Sequence, residues 1–357
     1  MNFDPGERAR EAERRASEWL AAEARAIEAS PELDAPGLRR LVLGAQAALT
    51  GDAGGAVAAR LAVARASPAL LLAVDATRLL RDLAGRFPAG ALPGGEAAAL
   101  AHGERVGAVA AADAAGSAPA RLVRTASGWR LTARKGLVAN GPIADWIAVL
   151  ASDADGAEVA CLVSPRDEGV RVGPRLALSG LDALAASALS ADGAPVPDGR
   201  VLGPPAGGAA AARYRLGADL SAAIAAAGLV RSALAAATRH ARATPRDGRP
   251  LLAHQEVSFP LADVLALGEA AELLCHRAAW LAEAGDPAAP TVVRCAKVFC
   301  ADAAERAASA CVQVMGGEGY RRGGVADRAW RDAKGLALAA TTTEVARMEI
   351  ADALLSR

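Results

Sequence analysis

Lysine is almost missing from this sequence. Lys135, Lys297 and Lys334 are the whole set, so arginine carries nearly all the positive charge. That bias reflects genome composition more than chemistry. Aromatic residues are scarce at 3%, and alanine supplies much of the 53% hydrophobic fraction. Alanine loses no side-chain entropy in a helix and lets helices approach closely. No basic run stands out from a formal net charge of zero, which argues against a nucleic-acid partner. No apolar run of membrane-spanning length lacks charges, so no membrane partner is expected. Met1 to Arg15 mix acids with arginines and hold no apolar leader core. The expectation is a soluble, cytoplasmic protein. None of the cysteines (Cys161, Cys275, Cys295, Cys300, Cys311) forms a CxxC pair, and the four histidines are scattered. The cysteines read as reduced, buried, small hydrophobic residues, and no metal site is expected.

The 357 residues are too many for one small core. Three textures divide them. Residues 1–105 carry long helical stretches such as Pro5 to Ala29 and Ala56 to Gly85, with apolar residues at three- and four-residue spacing. Residues 106–208 alternate short apolar runs with turns. Leu122-Val123, Trp129 to Leu131, Trp146 to Leu150 and Val159 to Val163 read as strands of a small antiparallel domain. Residues 209–357 are helical again, with expected helices from Ala218 to Ala243, Gln255 to Ala284, Pro290 to Met315 and Ala339 to Leu355. Helices this long imply a bundle. Asp219 reads as an N-cap at the start of the first. Their alanine-rich apolar faces call for a partner surface.

Four segments carry a resemblance. Gln313-Val314-Met315-Gly316-Gly317-Glu318-Gly319-Tyr320 is followed by Arg331-Asp332-Ala333-Lys334. Gly128-Trp129-Arg130-Leu131 runs through Lys135 to Asn140-Gly141-Pro142. Gly103-Glu104 runs through Gly107 to Gly116-Ser117. Gly248-Arg249-Pro250-Leu251 is followed by Gln255. From about Gly103 to its end the chain resembles the acyl-CoA dehydrogenase family. The resemblance implies an α+β, mainly α fold: an N-terminal helical domain, a central antiparallel β domain and a C-terminal four-helix bundle.

It also implies a site for FAD. The cofactor contacts it carries over are Gln313, Gly316, Gly317 and Gly319 at the adenine end, reached from a neighbouring subunit, with Gln255, Arg246 and Ser117. A glycine lets backbone amides approach a ligand closely. Other family contacts are replaced. The tryptophan and threonine that cover the flavin ring fall on Leu137 and Ala139. A flavin-bonding threonine falls on Ala111 or Ala112, and Asp113 replaces a glutamate. The interface arginine and phenylalanine fall on Thr244 and Asp247, with Arg242 and Arg246 nearby. The catalytic glutamate falls on Ala340, or on Ser221 where the family uses an earlier helix. Glu344, one helical turn past Ala340, is the candidate for a displaced base.

Three functions are compatible with this pattern. The first is a non-catalytic subunit that pairs with an active homologous subunit and shares its FAD. The second is a self-sufficient dehydrogenase, assembled with itself, using Glu344. The third is a flavin-free protein that binds or transforms an acyl thioester without redox chemistry.

Overall fold

The computed structural model describes residues 6–49, 57–126 and 128–355. Pro5 and Ala56, the expected starts of two helices, lie outside them. The N-terminal part is helical: α1 Gly6–Glu28, α2 Ala35–Leu49, α3 Val57–Ala66, α4 Pro68–Ala84 and α5 Glu96–Ala101. The stretch expected as one helix up to Gly85 is two, because Pro68 cannot continue a helix and instead opens one. Ser67 caps α4 by accepting the backbone N–H of Leu70 at 3.2 Å.

Strands follow: β1 Gly107–Ala110, β2 Arg121–Thr125, β3 Gly128–Ala139, β4 Trp146–Ser152, β5 Glu158–Val163, β6 Val170–Val172, β7 Ala186–Val196 and β8 Val201–Leu202. Their order is β6-β7-β3-β2-β4-β5-β8, with β1 beside β4. Most neighbours are antiparallel, while β1 runs parallel to β4. Alternate residues of β4 face opposite cores. Ile147 and Val149 join Leu122, Leu131 and Val138 on one side. Trp146, Ala148 and Leu150 pack with Leu80, Leu83 and Phe87 of the helical layer on the other. Burial on both faces explains why β4 reads as a continuous apolar run. The β3–β7 register shifts between Lys135 and Val138. A bulge there re-aims the intervening side chains, and Leu137 is half exposed.

The C-terminal part contains α6 Ala206–Ala243, α7 Gln255–Ala284, α8 Ala289–Gly319, α9 Val325–Leu338 and α10 Thr343–Leu355. The run from Ala218 to Val230 on α6 is buried without interruption, as expected of a helix surrounded on all sides. By length and composition alone α6 could cross a membrane, but 78% of its most apolar window is buried inside the protein. Glycine lets it approach its neighbours. A Cβ on Gly228 would stand 2.3 Å from the Cβ of Ala64 in α3, and one on Gly207 would stand 2.6 Å from the Glu158 carbonyl oxygen in β5. Two boundaries differ from expectation. α6 starts at Ala206, so Asp219 lies inside the helix and is not its N-cap. The helix expected from Ala339 starts at Thr343, because Ala340 adopts a left-handed φ of 56°.

A cavity whose carboxylates are all paired

A cavity of about 830 Å³ opens where the sheet meets α4, α6 and the end of α9. Leu72, Ala76 and Leu79 of α4, Val109, Leu137, Ala218 and Leu338 give it apolar walls. Ser221 and Ala340, the two positions at which a catalytic carboxylate was sought, both line it. They lie far apart in sequence, yet the fold brings them to one space.

Neither position can take a proton from carbon. Ala340 has no functional group. The Ser221 hydroxyl donates to the Gly217 carbonyl at 2.8 Å and accepts from Arg60 Nη2 at 3.0 Å. The carboxylates that do line the cavity are Asp75, Asp113 and Glu158, and each is committed. Asp75 is bonded by Arg60, and by Arg78 Nε at 3.0 Å. Burial alone would raise its carboxyl, but the two guanidinium groups outweigh burial and hold it at about 2. Glu158 receives a two-pronged bond from Arg215, at 2.7 and 3.0 Å, which lowers it. Asp113 stands 2.7 Å from the ammonium of Lys135.

Lys135 clamps the wall. Its Nζ also donates to the carbonyls of Ala111 and Leu150, both at 2.7 Å. Burial pulls its pKa down and the bond to Asp113 opposes that. Three acceptors use the three donors of an ammonium. Ala111, Ala112, Leu137 and Ala139, the positions where the resemblance sought flavin contacts, line the same cavity. None can bond the polar edge of a flavin ring. The polar side-chain contacts that the ring end of FAD would use are therefore missing from this wall.

The segment bearing Ala340 is held from two sides. Asp219 accepts the Thr341 backbone N–H at 2.9 Å and its hydroxyl at 3.1 Å. Burial raises the Asp219 carboxyl, and the bonds from Thr341 oppose this. Lys297, fully buried, donates to the carbonyls of Leu336 and Ala337 at 2.6 and 3.1 Å. Burial pulls its ammonium down to about 8. The opposite wall is latched by the Arg-Asp pair of the C-terminal motif. Arg331 donates to the Ser179 carbonyl at 2.6 Å, and Asp332 accepts the Leu181 backbone N–H at 2.6 Å.

Glu344 does not join this site. It sits in the exposed first turn of α10, where its own backbone N–H and the Thr343 hydroxyl lower its carboxyl. It is absent from the cavity wall. The shared helical face expected for Ala340 and Glu344 does not exist, because the helix starts between them. Ser117 lies in a turn near the cavity rim, its hydroxyl donated to the Ala114 carbonyl at 2.7 Å.

The other carried-over residues lie elsewhere. Arg246 and Gln255 are exposed around a hairpin, β9 Pro245–Arg246 and β10 Arg249–Pro250. Asp247 and Gly248 form its two-residue turn with φ of 51° and 78°, the conformation that favours Asp-Gly. Asp247 thus has a local structural role. Gln313, Gly316 and Gly317 are exposed at the end of α8. Gly316 breaks the helix with a φ of 57°, and a Cβ on Gly319 would stand 2.7 Å from the Val312 carbonyl oxygen. Gly317 alone of the three has neither constraint: φ is ordinary and a Cβ would meet nothing within 4 Å. This open edge fits close approach by a group held outside the chain.

A mainly helical fold with a central sheet, a cavity between them and the Arg-Asp latch defines an acyl-CoA dehydrogenase-like protein. Comparison with known proteins agrees. The profile of the acyl-CoA dehydrogenase C-terminal domain matches residues 208–355. An acyl-CoA dehydrogenase of Bacillus subtilis is 32% identical over 72% of this chain and 70% of its own length. The Mycobacterium tuberculosis protein named "Probable acyl-CoA dehydrogenase FadE25" is 32% identical over 64% of this chain, and that match spans 60% of its length. The crystal structure of the ChsE4-ChsE5 complex from Mycobacterium tuberculosis contains a chain 26% identical to this one, with a TM-score of 0.85 and full coverage of both. The chain belongs to the acyl-CoA dehydrogenase family.

The ion pairs escaped sequence reading. Asp75 interrupts the apolar stretch from Ala69 to Ala76 and Arg78 follows one helical turn later, and a charge inside such a stretch is the signal that would have flagged them.

Proposed function

We propose that this chain is the non-catalytic subunit of a heteromeric, FAD-dependent acyl-CoA dehydrogenase. One observation carries the reading: every carboxylate lining the cavity is paired with arginine or lysine, and alanine stands at the base position. Removing an α-proton needs a carboxylate free to accept it. A carboxyl held at about 2 is too weak a base, and pairing blocks the others.

In this reading the partner subunit supplies the base and holds the flavin ring. This chain supplies interface and offers its Gln313–Gly319 turn to the adenine end of the cofactor. FAD, when bound, would accept the hydride. An exposed apolar stripe on α7 supports assembly: Phe259, Ala266, Leu273 and Trp280 recur every seven residues and are exposed. Such a stripe calls for a covering surface. The ChsE4-ChsE5 complex supplies a precedent of two named chains in one assembly.

Co-expression with an intact family member from the same genome tests the reading. The chain alone should be colourless and inactive on saturated acyl-CoA. The co-purified complex should be yellow and active, and Glu344→Ala in this chain should leave its turnover unchanged. Turnover by the isolated chain, lost on Glu344→Ala, would overturn the proposal in favour of a self-sufficient enzyme. A colourless monomer that binds acyl-CoA would overturn it in favour of flavin-free thioester binding.

A further inference from the structure

The apolar line on α7 runs from Phe259 to Trp280 with a seven-residue period. Phe259, Leu273 and Trp280 are each more than half exposed. At 1.5 Å per residue the line is roughly 31 Å long. One exposed apolar side chain is ordinary, whereas a continuous line of them marks a contact surface. A seven-residue period is the pattern that lets a second helix follow the first along its length.

The residues beside the line say which helix that is. Asp263, Ala270 and Arg277 are also seven apart, are all exposed, and share one flank of it. Asp263 and Arg277 make no ion pair or side-chain hydrogen bond among the described residues. The acids on the other flank, Glu269 and Glu272, are both held by Arg231 of α6. Ala270 stands midway between the unused acid and the unused base. A two-fold axis beside Ala270 turns α7 onto an antiparallel copy of itself. Asp263 of each chain then falls opposite Arg277 of the other, and Ala270 falls opposite Ala270. Contacts about a two-fold axis are reciprocal in this way. Glu256, at one end of the same flank, falls opposite Ala284, so no like charges meet there. Alanine at 262, 266 and 270 leaves room for close approach of the two backbones.

We propose that α7 is the contact between two copies of this chain, packed antiparallel about a two-fold axis at Ala270 and held in register by two Asp263–Arg277 pairs. A second copy is the occupant because it alone must carry acid and base at matching distances from the axis. The proposal deepens the heteromeric reading: the assembly then holds two copies of each subunit, with the like chains side by side.

Sedimentation of the full chain over a dilution series, alone and co-purified with its partner subunit, tests this. Arg277→Asp puts acids at both positions, and Asp263→Arg puts arginines at both, so like charges meet across the axis. Each variant should raise the dissociation constant of the contact about tenfold or more. The mass should fall from two chains to one in the chain alone, and from four to two in the complex. Circular dichroism should stay as in the wild type, since both positions are exposed. Mixing the two variants in equal amounts should restore the wild-type mass, because acids on one helix then face arginines on the other. A dissociation constant unchanged in both variants would overturn the proposal, as would a mixture that stays at half mass. A wild-type chain that is monomeric alone and one-to-one in the complex would also overturn it. Failure of any partner subunit to co-purify counts against the heteromeric reading by itself, since the chain alone still reports on α7.

Discussion

The Asp332 carboxylate accepts the backbone N–H of Leu181 at 2.6 Å, pinning a residue of left-handed φ against α9. Burial raises Asp332 to about 6, the Leu181 bond opposes that, and Asp182 adds to it. The folded-state value lies above that of the unfolded chain, near 3.8. Its favourable contribution is therefore complete below about pH 4 and lost as pH rises through 6. Asp332→Asn keeps an acceptor and cannot ionise. Between pH 4 and 7 the wild-type chain should lose about 2–3 kcal/mol relative to this variant. Denaturant melts of both proteins across that range check it, and parallel curves would count against the shift.

Lys297 predicts the opposite slope. Burial lowers it from 10.5 to about 8. Its contribution is present above about pH 10.5 and is lost as pH falls through 8. Relative to Lys297→Met, the wild-type chain should lose about 3 kcal/mol between pH 10.5 and 7. The same melts at alkaline pH measure it.

The buried ion pair should respond unequally to its two partners. Asp75→Ala leaves Arg60 buried with no carboxylate, at a cost of about 3–5 kcal/mol. Arg60→Met leaves Asp75 still bonded to Arg78, so its cost should be smaller. Chemical denaturation of the two variants gives the order, and a reversed order would refute it.

The three glycines at the end of α8 should separate by measurement. Gly316→Ala forces a left-handed φ on alanine, costing about 1–2 kcal/mol in the chain alone. Gly319→Ala meets the Val312 carbonyl and should also lower the melting temperature. Gly317→Val meets nothing in this chain and should leave the melting temperature unchanged while lowering flavin absorbance of the co-purified complex. Unchanged flavin content would remove this turn from the cofactor's surroundings.

Much of the fold was legible because its signals are local. Helix α7 was bounded correctly at Gln255 and Ala284, since its first turn follows a Pro-rich hairpin and Gly285 ends it with a left-handed φ of 65°. Trp146 to Leu150 announced β4 by composition. The start of α6 was missed because Ala206 to Ala212 hold only alanine and glycine, which show no periodicity. Parallel pairing of β1 with β4 depends on residues 39 apart and leaves no local trace.

The site was half legible. Ser221 and Ala340 were found through the resemblance, and both line the cavity. Much of what surrounds them left no local trace, because these pairings join separate elements: Arg60 to Asp75 between α3 and α4, and Lys297 to Leu336 between α8 and α9. Glu344 was misplaced for a different reason. A single alanine with positive φ turned the chain and removed the helical register that had linked it to Ala340.

Helix α6 has a mechanical consequence. Gly207 seats it against β5 and Gly228 seats it against α3, some 30 Å apart at 1.5 Å per residue. Between these supports lie Tyr214, Arg215, Ala218, Ser221 and Ala222, its whole contribution to the cavity. Gly217, near the middle, presses on Leu79, where a Cβ would stand 2.5 Å away. The helix is a beam propped at both ends and braced at midspan, and it cannot swing aside for a bulkier guest. Accommodation must come from the other walls, the 178–184 loop and the turn at Ala340, which belong to no helix or strand and are held by hydrogen bonds to Arg331, Asp332 and Asp219.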